Sequence, residues 1–195
     1  MARPKEFNRE EVLDKAVELF WYQGYEATSI QALLGSMGIN RGSLYDTFGD
    51  KHSLFLEALD RYSHNTTQRL KCLEESCGGL AAIRQFFWDL LNSLLAEDNC
   101  KGCLMANSIV EVALHDPQAR EKVSAHLARL EAAFHRALIR ASEAGEIDPQ
   151  QSDLKALARF LTSSANGLCV VAKAVANRAT LEDIVRVTLS VLGQP

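Results

Sequence analysis

Between Pro4 and Pro117 the chain contains no proline, and the only others are Pro149 and Pro195. Proline lacks an N–H and its ring clashes with the preceding turn, so it breaks helices. Nothing in that long span therefore forces the chain out of helix. No segment rich in Val, Ile and Thr alternates apolar and polar residues as a half-buried strand requires. An all-α fold follows.

Start and stop signals divide the chain into nine expected helices. Asn8, with Glu11 three residues on, opens the first; Leu13, Ala16, Val17 and Phe20 share its buried face, and Gly24 ends it. Thr28 or Ser29 caps a short second helix through Met37. Gly38-Ile39-Asn40 forms a tight turn, and Asn40 caps a third helix, Arg41 to Phe48. Asp50 begins a longer fourth helix, which Gly78-Gly79 separates from an amphipathic fifth. Glu97-Asp98-Asn99 links that to a sixth near Gly102 to Leu114. Asp116-Pro117 starts the seventh, Asp148-Pro149 precedes an eighth of about Asp153 to Ala176, and Thr180 opens the ninth.

The 195 residues are 47% hydrophobic and 24% charged, the balance of a globular domain with a sizeable core. The uncharged run of the eighth helix, Phe160 to Ala172, stops at Lys173, short of the ~18 apolar residues a membrane helix needs. The N-terminus has no apolar export signal. A cytoplasmic protein with its five cysteines reduced is expected.

A net charge of −4 argues at first sight against nucleic acid as a partner. Placement changes that reading. Glu10, Glu11, Asp14 and Glu18 belong to the first helix, whereas Arg3, Lys5, Arg41 and Lys51 are candidates for a DNA-facing side.

Two short helices joined by a glycine turn and braced by a first helix make a helix-turn-helix. Its third helix must present small and polar side chains so that its backbone can approach base edges. Arg41, Gly42, Ser43, Asp46 and Thr47 fit, while Leu44 and Phe48, four apart, pin the other side to the core. Arg41 suits guanine O6/N7 or a phosphate, and Ser43 either kind of acceptor. Tyr45, Thr28 and Lys51 fall where phosphates would pass. Asp46 is open between reading a cytosine amine and repelling phosphate.

The eighth helix is apolar on most sides, and the ninth carries Leu181, Ile184, Val185, Val187, Leu189, Val191 and Leu192. Such helices must be covered on most sides, and a second copy of the chain is the expected cover. Homodimerisation through the last two helices is expected; the alternative is that both lie at the centre of a monomer.

The stretch Thr28-Ser29-Ile30 through Gly38-Ile39-Asn40-Arg41-Gly42-Ser43-Leu44-Tyr45-Asp46-Thr47-Phe48, then Lys51 and Leu54-Phe55, closely resembles the TetR/AcrR regulators. The resemblance is strongest over residues 8–60. Leu33-Leu34, Met37 and Thr47 depart from the family's usual residues. What it implies is a dimeric regulator on a palindromic double-stranded operator, usually a repressor released by a small molecule. It also implies an N-terminal arm, residues 1–7, whose Arg3 and Lys5 add DNA contacts. The expected division is a DNA-binding domain over 1–51 and an effector-binding and dimerisation domain over 52–195.

The effector is not legible. Ligand sites in bundles lie between helices and are mostly apolar with a few polar groups. Phe86, Trp88, Cys103, Met105, Asn107, Phe134, Phe160 and Asn166 are the candidates, the two asparagines because their amides sit inside apolar helices. Cys100-Lys101-Gly102-Cys103 is a C-x-x-C, and Cys72 and Cys77 form a second pair. A long amphipathic helix separates the pairs, unlike a zinc knuckle, so no metal or other cofactor is expected. Gly102-Cys103-Leu104 is also a frequent start to the sixth helix of TetR-like chains. A thiol- or metal-responsive regulator using Cys100 and Cys103 stays open as an alternative. So does an all-α ligand-binding protein whose helix-turn-helix binds no DNA. Five scattered histidines and the lack of a phosphate loop or nucleophile motif give no catalytic constellation, so no enzyme is expected.

Overall fold

Side-chain oxygens start most of the helices in the computed structural model, which describes residues 7–75, 78–96, 101–148, 153–175 and 177–193. The described residues form ten helices: α1 (Arg9–Gln23), α2 (Ile30–Met37), α3 (Arg41–Phe48), α4 (Lys51–Asn65), α5 (Thr67–Glu75), α6 (Gly79–Leu95), α7 (Leu104–Glu111), α8 (Pro117–Glu143), α9 (Leu154–Ala174) and α10 (Arg178–Ser190). Asn8, Asn40, Asp50, Asp116 and Asp153 accept N–H bonds from the first turns they precede. Each such cap is worth about 1 kcal/mol over alanine.

Two sequence expectations change, and one open choice resolves. The fourth helix is not continuous to Gly78: it ends at Asn65, and α5 begins at Thr67. Thr66 makes the break with its hydroxyl, which donates to the Ser63 carbonyl at 3.0 Å. Thr66 itself keeps an αR backbone, so no glycine or proline marks the joint. Of the two caps open for α2, Ser29 is the one used. Asn177, not Thr180, caps the last helix, accepting the Thr180 N–H at 3.0 Å. Arg3, Lys5, Cys77, Cys100, Pro149 and the 97–99 link lie outside the described residues.

Two apolar clusters organise the helices. The first joins α1 to α4 with Leu104, Met105, Val112, Ala119 and Val123 from α7 and α8. At its centre Phe20 meets Phe55 edge-on at 5.1 Å, and Tyr25 lies 4.6 Å from the same ring. Phe20 and Phe55 are almost wholly buried, so truncating either to alanine costs about 3–5 kcal/mol. The second cluster gathers α5, α6, α8, α9 and α10 around Phe87, Phe134 and Leu138. Gly79 lets α6 touch α8, since a Cβ there would stand 2.4 Å from the Ala141 backbone.

Helix α8 belongs to both clusters: Ala119 and Val123 serve the first, Leu130, Phe134 and Leu138 the second. At ~1.5 Å per residue it is a strut long enough to span the two. Among the described residues no helix is long and apolar enough to cross a membrane.

Candidate nucleic-acid interface

Gly38 takes a left-handed backbone, φ 70°, and turns the chain from α2 into α3. Asn40 then accepts the Ser43 N–H at 2.9 Å and starts the recognition helix. Leu33, Met37, Leu44 and Phe48 are buried beneath this pair of helices. That leaves Arg41, Gly42, Tyr45 and Asp46 exposed, with Ser43 half-buried beside them. The Arg41 guanidinium lies over the Tyr45 ring, 5.8 Å from its centre. A Cβ on Gly42 would meet nothing closer than the Asn40 side chain at 3.3 Å. Gly42 thus lowers the profile of the outer face and serves no internal packing contact.

Lys51 is the first residue of α4. Its ammonium stands 4.4 Å from the centre of the Tyr25 ring and donates to the Glu26 carbonyl at 3.5 Å. These contacts hold the cation beside the approach to α2.

Two threonines do not behave as the sequence predicts. Thr28 is fully buried, and its hydroxyl donates to the Gly24 carbonyl at 2.5 Å. Its side chain shapes the α1–α2 turn and is not offered to a phosphate. The Thr47 hydroxyl is also turned inward, buried without a hydrogen-bond partner.

The turn that Thr28 shapes is clamped from the other half of the molecule. Glu111, at the end of α7, accepts the Tyr25 N–H at 3.0 Å and the Glu26 N–H at 2.8 Å. Gly24, φ 84°, makes room, because a Cβ there would lie 2.8 Å from both carboxylate oxygens. His52 to Asp116 at 2.7 Å and Lys101 to Glu18 at 2.7 Å tie the same halves together.

A cavity of about 60 Å³ lies among α4, α5, α6, α8 and α9 and is closed by Gly102 and Cys103, just before α7. Of the eight residues proposed from sequence, Phe86, Cys103 and Asn166 line it. Phe134 is fully buried core, Trp88 packs on that core, and Phe160 is exposed on α9. Met105 lines a neighbouring, wider groove, which Leu56, Lys122 and Ala125 also border and which shares His126 with the cavity. Asn107 is occupied structurally, donating to the Lys101 carbonyl and accepting from Lys173. Sequence reasoning missed Tyr62, His126 and Cys169 on the cavity wall. Each sits at an ordinary core position of its helix, so nothing local marked it.

The wall is electrostatically uneven. Burial, with Arg129 adding repulsion, pushes the His126 ring down to about 4, so it is neutral at pH 7. Its Nδ1 lies 3.2 Å from the Ser63 hydroxyl. Burial raises the Tyr62 hydroxyl well above the usual phenol range, and the neighbouring Cys103 adds to this. Among the described residues no group of three or more His, Cys, Asp or Glu could hold a metal ion.

The helix-turn-helix has counterparts in known proteins. A family model for bacterial regulatory proteins of the tetR family matches residues 12–58, and one for the tetracyclin repressor-like C-terminal domain matches residues 79–188. The chain belongs to the TetR family. It is 40% identical to the uncharacterized HTH-type transcriptional regulator YezE of Bacillus subtilis (strain 168), covering 98% of this chain and 100% of that one. It is 32% identical to the HTH-type transcriptional repressor ComR of Escherichia coli (strain K12), over 96% and 90% of the two chains. A solved structure of a cysteine mutant of the TetR family regulator CifR, complexed with 26 bp double-strand operator DNA, superposes with a TM-score of 0.87. It is 27% identical and covers 99% of this chain and 100% of that one. This TetR-family chain is accordingly a DNA-binding transcriptional regulator, as its relatives are, and not an enzyme.

Proposed function

We propose that the protein is a cytoplasmic, dimeric TetR-family repressor that leaves its operator when a small molecule occupies the cavity among α4, α5, α6, α8, α9 and the residues just before α7. Residues 1–51 act as the reading head, with Arg3 and Lys5 of the arm adding contacts; residues 52–195 bind effector and dimerise. The observation that carries this reading is the outer face of α3. There Arg41, Gly42 and Tyr45 are exposed over a helix pinned by Leu44 and Phe48. Arg41 and Ser43 read bases, while Tyr45 and Lys51 hold phosphates and set the register.

Dimerisation through α9 and α10 is supported by apolar side chains left in water. Phe160 is 44% exposed and Val170 48% on α9, and Val187 is 68% exposed on α10. Exposed apolar patches of this kind mark association surfaces. Release is supported by α7, which runs from the cavity wall at Cys103 to the clamp at Glu111. An effector that fits only one placement of α7 shifts the population toward it, and the reading heads move with the Tyr25–Glu26 turn.

Capture of genomic fragments by the purified protein tests the assignment, with Tyr45→Ala and Lys51→Ala as controls. A discrete palindrome enriched over both variants supports it. Equal, unselective recovery by all three proteins overturns it.

A further inference from the structure

The Gly102 backbone is left-handed, φ 69°, and a Cβ there would lie 2.8 Å from the Cys169 carbonyl. Only glycine lets the loop before α7 come so close to α9. The result is that Cys103, the residue preceding α7, meets Cys169 of α9 through a thiol–thiol hydrogen bond on the cavity wall. We propose that Cys103 and Cys169 form a peroxide-oxidisable thiol pair, with Cys103 as the attacking sulfur and Cys169 as the resolving one. Its effect on DNA release rests on the function proposed above; the chemistry of the pair does not.

The surroundings favour an anion at Cys103. Cys169 donates to it, the N–H groups of Ala106 and Met105 act on it from the start of α7, and the Tyr62 hydroxyl reaches it from α4. Together they outweigh burial and hold the thiol below its ordinary value. Helices α1, α2, α3, α4, α8, α9 and α10 all start on an Asn, Ser or Asp oxygen. Helix α7 starts instead on Cys103, whose sulfur closes no full capping bond. A thiolate there has the first-turn N–H groups for stabilisation. Cys103 is half-buried and Cys169 buried, and neither is held in a disulfide. The cavity, about 60 Å³, has room for a molecule of peroxide size.

In the first step the Cys103 sulfur attacks one oxygen of hydrogen peroxide. An S–O bond forms, the O–O bond breaks, and the leaving hydroxide takes up the proton that the thiol had shed, giving water. Cys103 is then a sulfenic acid. In the second step the Cys169 sulfur attacks the Cys103 sulfur; the S–S bond forms, the S–O bond breaks, and the hydroxyl leaves as water with the Cys169 proton. Two electrons pass from the two sulfurs to the peroxide, and two waters are formed. The disulfide draws the start of α7 onto α9, because bonded sulfurs sit ~2.05 Å apart, nearer than hydrogen-bonded ones. Glu111 at the other end of α7 passes that shift to the Tyr25–Glu26 turn.

The test treats the full-length protein with stoichiometric hydrogen peroxide and maps its cysteines by non-reducing peptide mass spectrometry. Binding to a captured genomic fragment is followed in parallel. The expected results are a Cys103–Cys169 cross-linked peptide and an operator affinity lowered about tenfold, within the usual range of coupling between sites, both restored by a thiol reductant. Cys169→Ser should stop at a Cys103 sulfenic acid trapped by dimedone, and Cys103→Ser should leave Cys169 unoxidised. Cys103→Ala and Cys169→Ala, checked for native helicity, replace any serine variant that misfolds. A disulfide from Cys103 to Cys100, or no oxidation at Cys103, overturns the pair. A Cys103–Cys169 disulfide with unchanged DNA affinity overturns the switch. Failure of the untreated, reduced protein to bind any discrete fragment overturns the proposed function instead, and the cysteine mapping alone then decides the thiol pair.

Discussion

The Glu111 carboxylate accepts the backbone N–H of Tyr25 at 3.0 Å, across the junction between the reading head and the rest of the chain. A second bond, from the Glu26 N–H at 2.8 Å, makes the grip two-pronged. Tyr25 and Glu26 are also the residues that position Lys51. One side chain therefore links the end of α7 to a candidate phosphate contact, with Gly24 as the opening that admits it.

That geometry predicts coupling between Gly24 and Glu111. Gly24→Ala costs about 1–3 kcal/mol, since φ 84° with ψ 172° is essentially a glycine conformation. Glu111→Ala costs about 0.5–1.5 kcal/mol, since the part-buried Tyr25 N–H loses its acceptor while water reaches that of Glu26. In the double variant part of the clash is gone, so urea unfolding should show non-additivity of about 0.5 kcal/mol or more. Strict additivity contradicts the clamp.

His126 predicts a pH dependence with a definite sign. The unfolded chain binds its proton near 6.5 and the folded chain near 4. Stability from keeping the ring neutral is complete above 6.5 and is lost as pH falls toward 4, about 3 kcal/mol in all. Denaturant melts at pH 7.0, 5.5 and 4.5 check it, and His126→Gln should flatten this part of the profile. An unchanged profile in the variant contradicts the assignment.

Thr47→Val should be neutral or stabilising by up to about 1 kcal/mol, because its buried hydroxyl has no partner to lose. Operator affinity should stay within about twofold, since one methyl group replaces an inward-facing hydroxyl. A large loss of specific binding would restore Thr47 to the reading face.

Phosphate and base contacts should separate in salt titrations. Lys51→Ala is expected to weaken all sequences alike and to reduce the slope of log affinity against log salt by about 0.9 per phosphate contact. Arg41→Ala and Ser43→Ala should instead change which base is preferred. A sequence-selective effect of Lys51→Ala would reverse the assignment.

Phe160→Asp and Val187→Asp place charges on apolar side chains that are exposed on α9 and α10. Sedimentation should show a folded chain shifted toward monomer, with specific DNA affinity falling alongside. A variant with intact folding and unchanged mass contradicts dimerisation through this face.

The helix-turn-helix was legible because its signals are local. Asn40 caps α3 three residues before the N–H it binds, and Gly38 stands where the turn needs positive φ. The facing of Thr28 and Thr47 was not legible, since a small β-branched alcohol fits either side of a short helix. Nor was the joint at Thr66, where the chain keeps an αR backbone and a hydroxyl bond makes the break. The cavity wall was hidden for another reason. Tyr62, Cys103 and Cys169 come from distant parts of the chain, and their meeting depends on how closely Gly102 lets the start of α7 approach α9.

In the proposed dimer, the two α3 helices read successive major grooves. Hydroxyl-radical footprinting on a captured genomic fragment tests it most directly. The predicted result is two symmetric protected patches about 34 Å apart along the duplex, both lost with Tyr45→Ala. A single protected patch, or continuous protection without symmetry, would contradict it.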